Sequence, residues 1–293
     1  MHGRDDPVRL AVEAGGLYVV ATPIGNLGDL SPRARAVLGA VDWIAAEDTR
    51  VTRKLFAHAN DVVPRGRMLA LHAHNERAQG ERIVALLQSG ATVALVSDAG
   101  TPAISDPGAA VVHAARDAGG KVFAVPGPNA AIAALSVSGL ALDTFTFCGF
   151  LPSTGSARRS AIETLRGAPG ALVFYESPHR VVECIDDLCN GLGGARPVVI
   201  ARELTKLFES VHRCRLDEAA AWLAADADHR RGEFVLIVDA PGQAPAAADI
   251  ETERVLVELL AELPVSRAAH VAARVCGVDR AHAYRLALAL KKR

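Results

Sequence analysis

From Leu17 to Val125 short apolar runs alternate with helix-like segments, and no other feature constrains the fold of this chain as tightly. Leu17 to Ala21, Trp43 to Ala46, Met68 to His72, Ala91 to Ser97 and Lys121 to Val125 read as strands. Ser31-Pro32 supplies an N-cap and a first-turn proline for a helix running through Leu38. A second helix opens at Thr49, a third runs from Ala78 to Ser89 and stops at Gly90, and a fourth runs from Ala109 to Ala118 before Gly119-Gly120. Such alternation with short connections predicts a mostly parallel sheet covered by helices.

Pro126-Gly127-Pro128 is the strongest internal punctuation and is taken as a domain boundary. Beyond it come a helix from Asn129 to Val137 and strand candidates at Thr144–Phe147, Leu172–Tyr175, Val198–Ala201 and Phe234–Val238, with helices at Val181–Asn190 and Asp217–Ala225. This predicts a second α/β unit with some antiparallel pairing. Pro241 to Ala248 reads as a linker to a helical tail. The expected organisation is a loose N-terminus at 1–14, α/β domains at 15–125 and 126–243, and a linker with a helical tail at 244–293.

Half of the 293 residues are hydrophobic and 22% are charged, so a globular core is affordable. Aromatics make up only 4%, which disfavours a single-strand binder built on rows of stacking rings. Net charge is −1, so any basic surface must be local. The five cysteines are odd in number and form no CxxC pair, as expected of reduced thiols in a cytoplasmic protein. Met1 to Glu13 carries no apolar signal core and no run approaches a membrane span, so no membrane partner is expected. The tail is different: from Pro264 to Arg293 seven Lys/Arg face one acid, Asp279. Ser266 can cap a helix through Val275, Gly277 breaks it, and Asp279 can cap another through Leu290. That is the layout of a helix-turn-helix, with a basic hairpin packed on the body or on a second subunit as the plainer reading.

The stretch Leu95 to Gly108, LVSDAGTPAISDPG, carries most of the functional signal. It opens at the carboxyl end of a predicted buried strand, where ligands bind in open α/β sheets. Small residues there admit a ligand close to the backbone, and Asp98 and Asp106 favour a polar or cationic molecule over a triphosphate. A rigid connection without a ligand is the plain alternative. Five more clusters lie at strand ends. Ala21 to Leu27 lacks both GxGxxG and a lysine-bearing phosphate loop, which argues against dinucleotide dehydrogenases and nucleotide triphosphatases. Glu47-Asp48-Thr49-Arg50 could position a substrate or simply cap a helix. His72 and His74 would share a face if extended, but no third metal ligand of suitable spacing follows, so no metal is expected; Asn75 is read as a substrate contact or a helix cap. Tyr175 to Arg180 and Arg202 to Lys206 complete the set, and Glu203 and Lys206 would face one side of a helix.

Taken in order, ATPIGNL (Ala21–Leu27), AEDTR (Ala46–Arg50), HNE (His74–Glu76), SDAGTPAISDPG (Ser97–Gly108), VPGPNA (Val125–Ala130), FYESPHR (Phe174–Arg180) and ARELTK (Ala201–Lys206) resemble the tetrapyrrole methylase superfamily. The resemblance is nearer to its small-subunit ribosomal RNA branch, and the basic tail resembles that branch's RNA-binding extension. Each motif is weak alone; the ordered set, spanning most of the chain, is specific.

The resemblance implies two α/β domains of tetrapyrrole-methylase type with the cofactor cleft between them, a small basic helical C-terminal extension, and a homodimer. It implies methyl transfer from S-adenosyl-L-methionine to the ribose 2′-hydroxyl of a cytidine in the decoding region of 16S rRNA, free or in the assembled small ribosomal subunit. Carried onto this sequence, cofactor contacts are expected from Pro23, Asp98, Ala99, Gly100, Thr101, Ile104, Ser105, Asn129, Ala130, Tyr175, Glu176 and Ser177. In-line displacement at a sulfonium methyl needs the acceptor oxygen about 3 Å away and relieved of its proton. Glu203, Asp48, or Lys206 if burial lowers its pKa, are the candidate bases, with the Glu203–Lys206 pair preferred. Arg50, His74, Asn75, Arg202, Arg267, Arg274, Arg285, Lys291 and Lys292 are candidate substrate contacts. A methylase of a tetrapyrrole or other small acceptor, and a non-catalytic RNA-binding assembly factor, are the competing readings.

Overall fold

The computed structural model describes residues 12–59, 64–140, 144–241 and 247–291. Most of the expected loose N-terminus, most of the linker, and Lys292 lie outside the described residues. The chain forms two compact units, Met1–Asp239 and Ala240–Arg293. Both sheets belong to the first.

The first sheet contains β1 (Gly16–Val20), β2 (Trp43–Ala46), β3 (Arg67–Ala70), β4 (Val93–Val96) and β5 (Lys121–Val125) in the order β3-β2-β4-β1-β5. Every pairing is parallel. Parallel strands need crossovers, and α1 (Pro32–Ala40), α2 (Thr49–His58), α3 (Glu76–Gln88) and α4 (Ala109–Asp117) supply them. The period-2 alternation of a strand then sorts side chains between two layers. Ala94 and Val96 of β4 join Val37 and Leu38 of α1 and Phe56 of α2, whereas Val93 and Leu95 join Ile83 of α3 and Val111 and Ala115 of α4. Both faces are covered, and truncating a fully buried residue such as Leu95 to Ala would cost about 2–5 kcal/mol.

The second sheet contains β6 (Phe145–Phe150), β7 (Ala171–Glu176), β8 (Pro197–Arg202), β9 (Ser210–Arg215) and β10 (Phe234–Val238), ordered β6-β7-β10-β8-β9. Only β6–β7 is parallel; the other three pairings are antiparallel. Phe234, Leu236 and Val238 face α6 (Gly155–Leu165), α7 (Val181–Leu192) and α8 (Leu216–Ala225), while Val235 and Ile237 face α5 (Ala130–Val137). Two elements, α6 and β9, have no counterpart in the sequence reading. Helix α6 hides its pattern by burying Arg158, which bonds Asp187 of α7 at 2.6 Å. Strand β9 is a polar edge whose residues alternate between half-buried and exposed.

The C-terminal unit comprises α9 (Ala247–Glu262), α10 (Val265–Cys276) and α11 (Arg280–Leu290) around Leu256 and six buried alanines. Alanine faces let helix axes approach closely. Gly277 ends α10 in the left-handed region (φ 66°), and the Asp279 carboxylate accepts from the Ala281 and His282 amides at 2.8 and 3.1 Å, capping α11. The expected cap at Ser266 is corrected: α10 starts two residues earlier, at Val265, with Pro264 at the N-cap.

Candidate active site

The carboxyl end of β4 opens into a loop whose backbone is bent at four left-handed positions: Gly100 (φ 87°), Ala103 (66°), Ser105 (65°) and Gly108 (134°). Such conformations cost energy at non-glycine residues and persist only where neighbours enforce them. Here the enforcement is explicit. Thr22 and Gly100 exchange backbone hydrogen bonds at 2.8 and 3.1 Å, tying the loop after β1 to the loop after β4. The Thr101 hydroxyl donates to the Pro128 carbonyl at 3.0 Å. Glu76 Oε1 accepts from the Gly108 and Ala110 amides at 2.8 and 2.9 Å and so caps α4 from the start of α3. A Cβ on Gly108 would meet Leu95 Cδ2 at 2.8 Å, so this position requires glycine on space as well as φ.

Facing this loop, the second sheet presents the ends of β6 and β7 and the start of β10. Tyr175 is held by Phe147 and Phe150, with ring centroids at 5.0 and 5.6 Å, and its phenol oxygen accepts from the Ala131 amide at 3.2 Å. A register shift in β6 between Phe147 and Gly149 turns Phe150 toward the cleft; a bulge beside a binding site commonly re-aims a side chain in this way. Between the two sheets lies a cavity of about 450 Å³, a size that suits a small organic ligand. Eleven of the twelve expected cofactor residues line it: Asp98, Ala99, Gly100, Thr101, Ile104, Ser105, Asn129, Ala130, Tyr175, Glu176 and Ser177. Pro23 does not; its neighbour Ile24 does. The sequence reading did not assign Phe150, Glu233 or Val235 to the site, and the glycine inside β6 was the available signal for the first; Asp106, read as favouring a cationic ligand, and Glu47, read within a cluster that could position a substrate, both line the cavity.

Three carboxylates, Glu47, Asp98 and Asp106, share the wall. Burial raises the pKa of all three, and their mutual repulsion adds to it. Asp106 is pushed up to about 6 by burial and the Glu47 charge, against a lowering hydrogen bond from Ser97. Buried Glu176 contributes an Oε2 atom that accepts no hydrogen bond although Arg180 Nη2 lies 3.3 Å away. Negative charge and an unfilled acceptor, flanked by apolar Ile24, Ile104 and Phe150, fit a bent, cationic sulfonium cofactor such as S-adenosylmethionine.

Lys206 also lines the cavity, and its ammonium bonds Glu203 Oε1 at 2.9 Å and Glu233 Oε2 at 2.7 Å. The pair does not sit on a helix. Glu203 (φ 51°) and Thr205 (φ 66°) form a strained turn that folds Lys206 back onto its partner. A neutral lysine base is therefore corrected: burial works to lower Lys206, but the two carboxylates outweigh it and hold the ammonium above its ordinary value. Glu203 is held below its usual range, burial being outweighed by the Lys206 and Glu233 hydrogen bonds, and it does not line the cavity.

Asp48 is likewise corrected as a base. It caps α2 and is clamped by Arg50 at 3.0 and 2.6 Å, which brings its pKa down to about 2. Arg202 is buried, donating to the Arg231 carbonyl and the Ser210 hydroxyl, and cannot reach an external phosphate. Asn75 occupies the N-cap position of α3 but makes no side-chain cap bond, its amide being engaged by the His72 N–H and the Ala70 carbonyl. His72 and His74 lie in that exposed turn with rings 6.1 Å apart. Among the described residues no group of three or more His, Cys, Asp or Glu could hold a metal ion. Arg50 is exposed beside the cleft residue Glu47. In the C-terminal unit Arg267, Arg274, Arg285 and Lys291 are all exposed.

The family model for Tetrapyrrole (Corrin/Porphyrin) Methylases matches residues 16–220. The chain belongs to the tetrapyrrole methylase family. A second family model, an RsmI C-terminal HTH domain, matches residues 246–291, the helical unit just described. Ribosomal RNA small subunit methyltransferase I of Xylella fastidiosa strain Temecula1 is 52% identical over 92% of this chain and 98% of its own length. The enzyme of the same name from Pseudomonas aeruginosa is 48% identical over 94% and 98%. Among solved methylase folds, the methyltransferase CobJ superposes with a TM-score of 0.58 at 18% identity, covering 78% of this chain and 95% of its own. Uroporphyrin-III C-methyl transferase from Thermus thermophilus, complexed with S-adenyl homocysteine, gives 0.50 at 19% identity over 75% and 96%. Among the described residues no helix is long and apolar enough to cross a membrane.

Proposed function

We propose that this protein is an S-adenosylmethionine-dependent methyltransferase of small-subunit ribosomal RNA, and that its product is a 2′-O-methylated cytidine in the decoding region of 16S rRNA. The observation that carries the reading is the pairing, in one chain, of an acid-lined methylase cavity with a helix-turn-helix unit whose end, from Pro264 to Arg293, carries seven Lys/Arg against one acid. Relatives that match nearly end to end carry ribosomal RNA methyltransferase names. A small tetrapyrrole acceptor has no use for the cationic tail, which disfavours that alternative. The protein acts in the cytoplasm as a homodimer in this reading.

When bound, S-adenosylmethionine supplies an electrophilic methyl on a sulfonium. Glu47, Asp98 and Asp106 offset its positive charge, and Gly100 and Ala99 let the backbone approach it. The acceptor hydroxyl needs a group to take its proton, and a carboxylate with a pKa near the working pH is suited to that task. Asp106 is that group, replacing Asp48 and the Glu203–Lys206 pair preferred on sequence grounds. Lys206, fixed by Glu203 and Glu233, presents N–H donors to the cavity and positions the acceptor. Exposed Arg50 and His74 serve as substrate contacts in this reading, and the exposed tail cations bind RNA phosphates. The test is transfer of labelled methyl from S-adenosylmethionine to small subunits lacking their native methylations, with a tetrapyrrole acceptor in parallel. Label in the RNA supports the reading; label only in the tetrapyrrole, or none despite cofactor binding, overturns it.

A further inference from the structure

Removing Arg202 from the phosphate contacts leaves the question of what holds RNA against the cleft within the first unit. Helix α2 answers it. Its exposed residues Arg50, Arg53, Lys54 and His58 recur at the i, i+3, i+4, i+8 spacing of a single helical face, opposite buried Thr52 and Phe56. The helix follows directly on Glu47, a cavity residue, and runs back about 15 Å at 1.5 Å per residue toward the start of edge strand β3. Arg67, on that strand, lies on the other face of the sheet, over the Trp43 ring. From Thr49 to Arg82 seven Lys/Arg face three acids in a protein of net charge −1. One of the three, Glu76, is already engaged as the cap of α4.

One feature separates this stripe from an ordinary solvated helix face. Among the described residues the side chains of Arg53 and Lys54 form no ion pair or hydrogen bond. Arg50 stands in the first turn, paired with the N-cap Asp48, and Arg53 and Lys54 follow in the middle of the helix. A helix face that concentrates unpaired positive charge beside a cleft attracts a polyanion.

We infer that the exposed face of α2 is a phosphate-binding rail that seats substrate RNA at the cavity mouth, separately from the C-terminal tail. This rests on the RNA methyltransferase reading above. The experiment compares wild type with Arg53→Gln/Lys54→Gln in the full-length protein, using naked 16S RNA and intact small subunits across a salt series. S-adenosylmethionine affinity and Tm are measured alongside. Loss of two phosphate contacts should flatten the slope of log affinity against log salt by about 1.4 and weaken binding about 20-fold at 0.1 M salt. Cofactor affinity and Tm should hold, because both side chains are exposed and unpaired. Wild-type RNA affinity and slope in the variant, with wild-type protein still methylating RNA, would overturn the rail alone. Weakened binding to subunits but not to naked RNA would assign the face to a ribosomal protein and overturn it as well. Failure of the wild-type protein to methylate RNA would remove the reading on which the rail rests.

Discussion

Replacing Asp106 by Asn should stabilise the protein and cripple it. Burial and the Glu47 charge push the Asp106 carboxyl from 3.8 to about 6, so its ionised form is disfavoured in the folded state. A shift of roughly two units corresponds to a ceiling of ~3 kcal/mol. Asp106 is only about half-buried, and solvent screening reduces the realised penalty to about 1 kcal/mol. Removing the charge should therefore raise Tm at pH 7.5 by about 2–4 °C. The pH dependence fixes the sign. Above pH 6 the wild-type carboxylate is ionised in both states and the folded state bears the full penalty. Between 6 and 3.8 the folded state takes up a proton that the unfolded state does not, so the penalty fades. Below 3.8 both are protonated and the two proteins should melt together. Differential scanning across this range reads the gap, and methyl transfer at pH 7.5 should fall by 10²–10⁴-fold in the variant. A variant that melts at or below wild type at pH 7.5, or a gap that widens on acidification, would refute the reasoning.

Other outcomes follow from the same geometry. In wild type, kcat/KM should climb with pH through about 6 as free-enzyme Asp106 ionises, and the kcat limb should lie lower because a bound sulfonium favours the carboxylate; a flat profile from 5 to 8 removes Asp106 as base. Glu76→Ala strands the Gly108 and Ala110 amides, so it should cost about 1 kcal/mol of stability and raise KM for S-adenosylmethionine, read by melting and initial rates. Lys206→Met leaves Glu203 and Glu233 facing each other, and should lower kcat at least tenfold with smaller effect on cofactor affinity. Deleting Ala240–Arg293 should weaken RNA binding and flatten its salt dependence while isothermal titration finds cofactor affinity unchanged.

The first sheet is legible in the sequence because parallel strands buried on both faces must be short apolar runs, and Val93–Val96 or Gly16–Val20 can be little else. The cofactor wall is legible for a related reason: ligands meet such sheets at strand ends, where Ser97–Gly108 concentrates glycine, proline and aspartate. What escapes is whatever depends on pairing across the fold. Helix α6 carries a buried arginine that reads as surface until Asp187 is seen beside it. Arg202 looks like a free cation until its bonds to Arg231 and Ser210 are placed. Asp48 and Asp106 are indistinguishable as letters, yet one is clamped by an arginine and the other crowded by acids, moving their pKa values to about 2 and about 6. Spacing reports which face a residue occupies; it does not report which charge arrives opposite from a distant element.

The central claim is that the acid-lined cavity delivers a methyl group to a ribose hydroxyl of small-subunit RNA. Its most direct test is nucleoside mass spectrometry of 16S rRNA after incubation of unmethylated small subunits with wild-type protein and with Asp106→Asn. A new 2′-O-methylcytidine in the decoding region with wild type, and at most a trace with the variant, is the predicted result. A methyl group found on a base, or on no nucleotide at all, would contradict it.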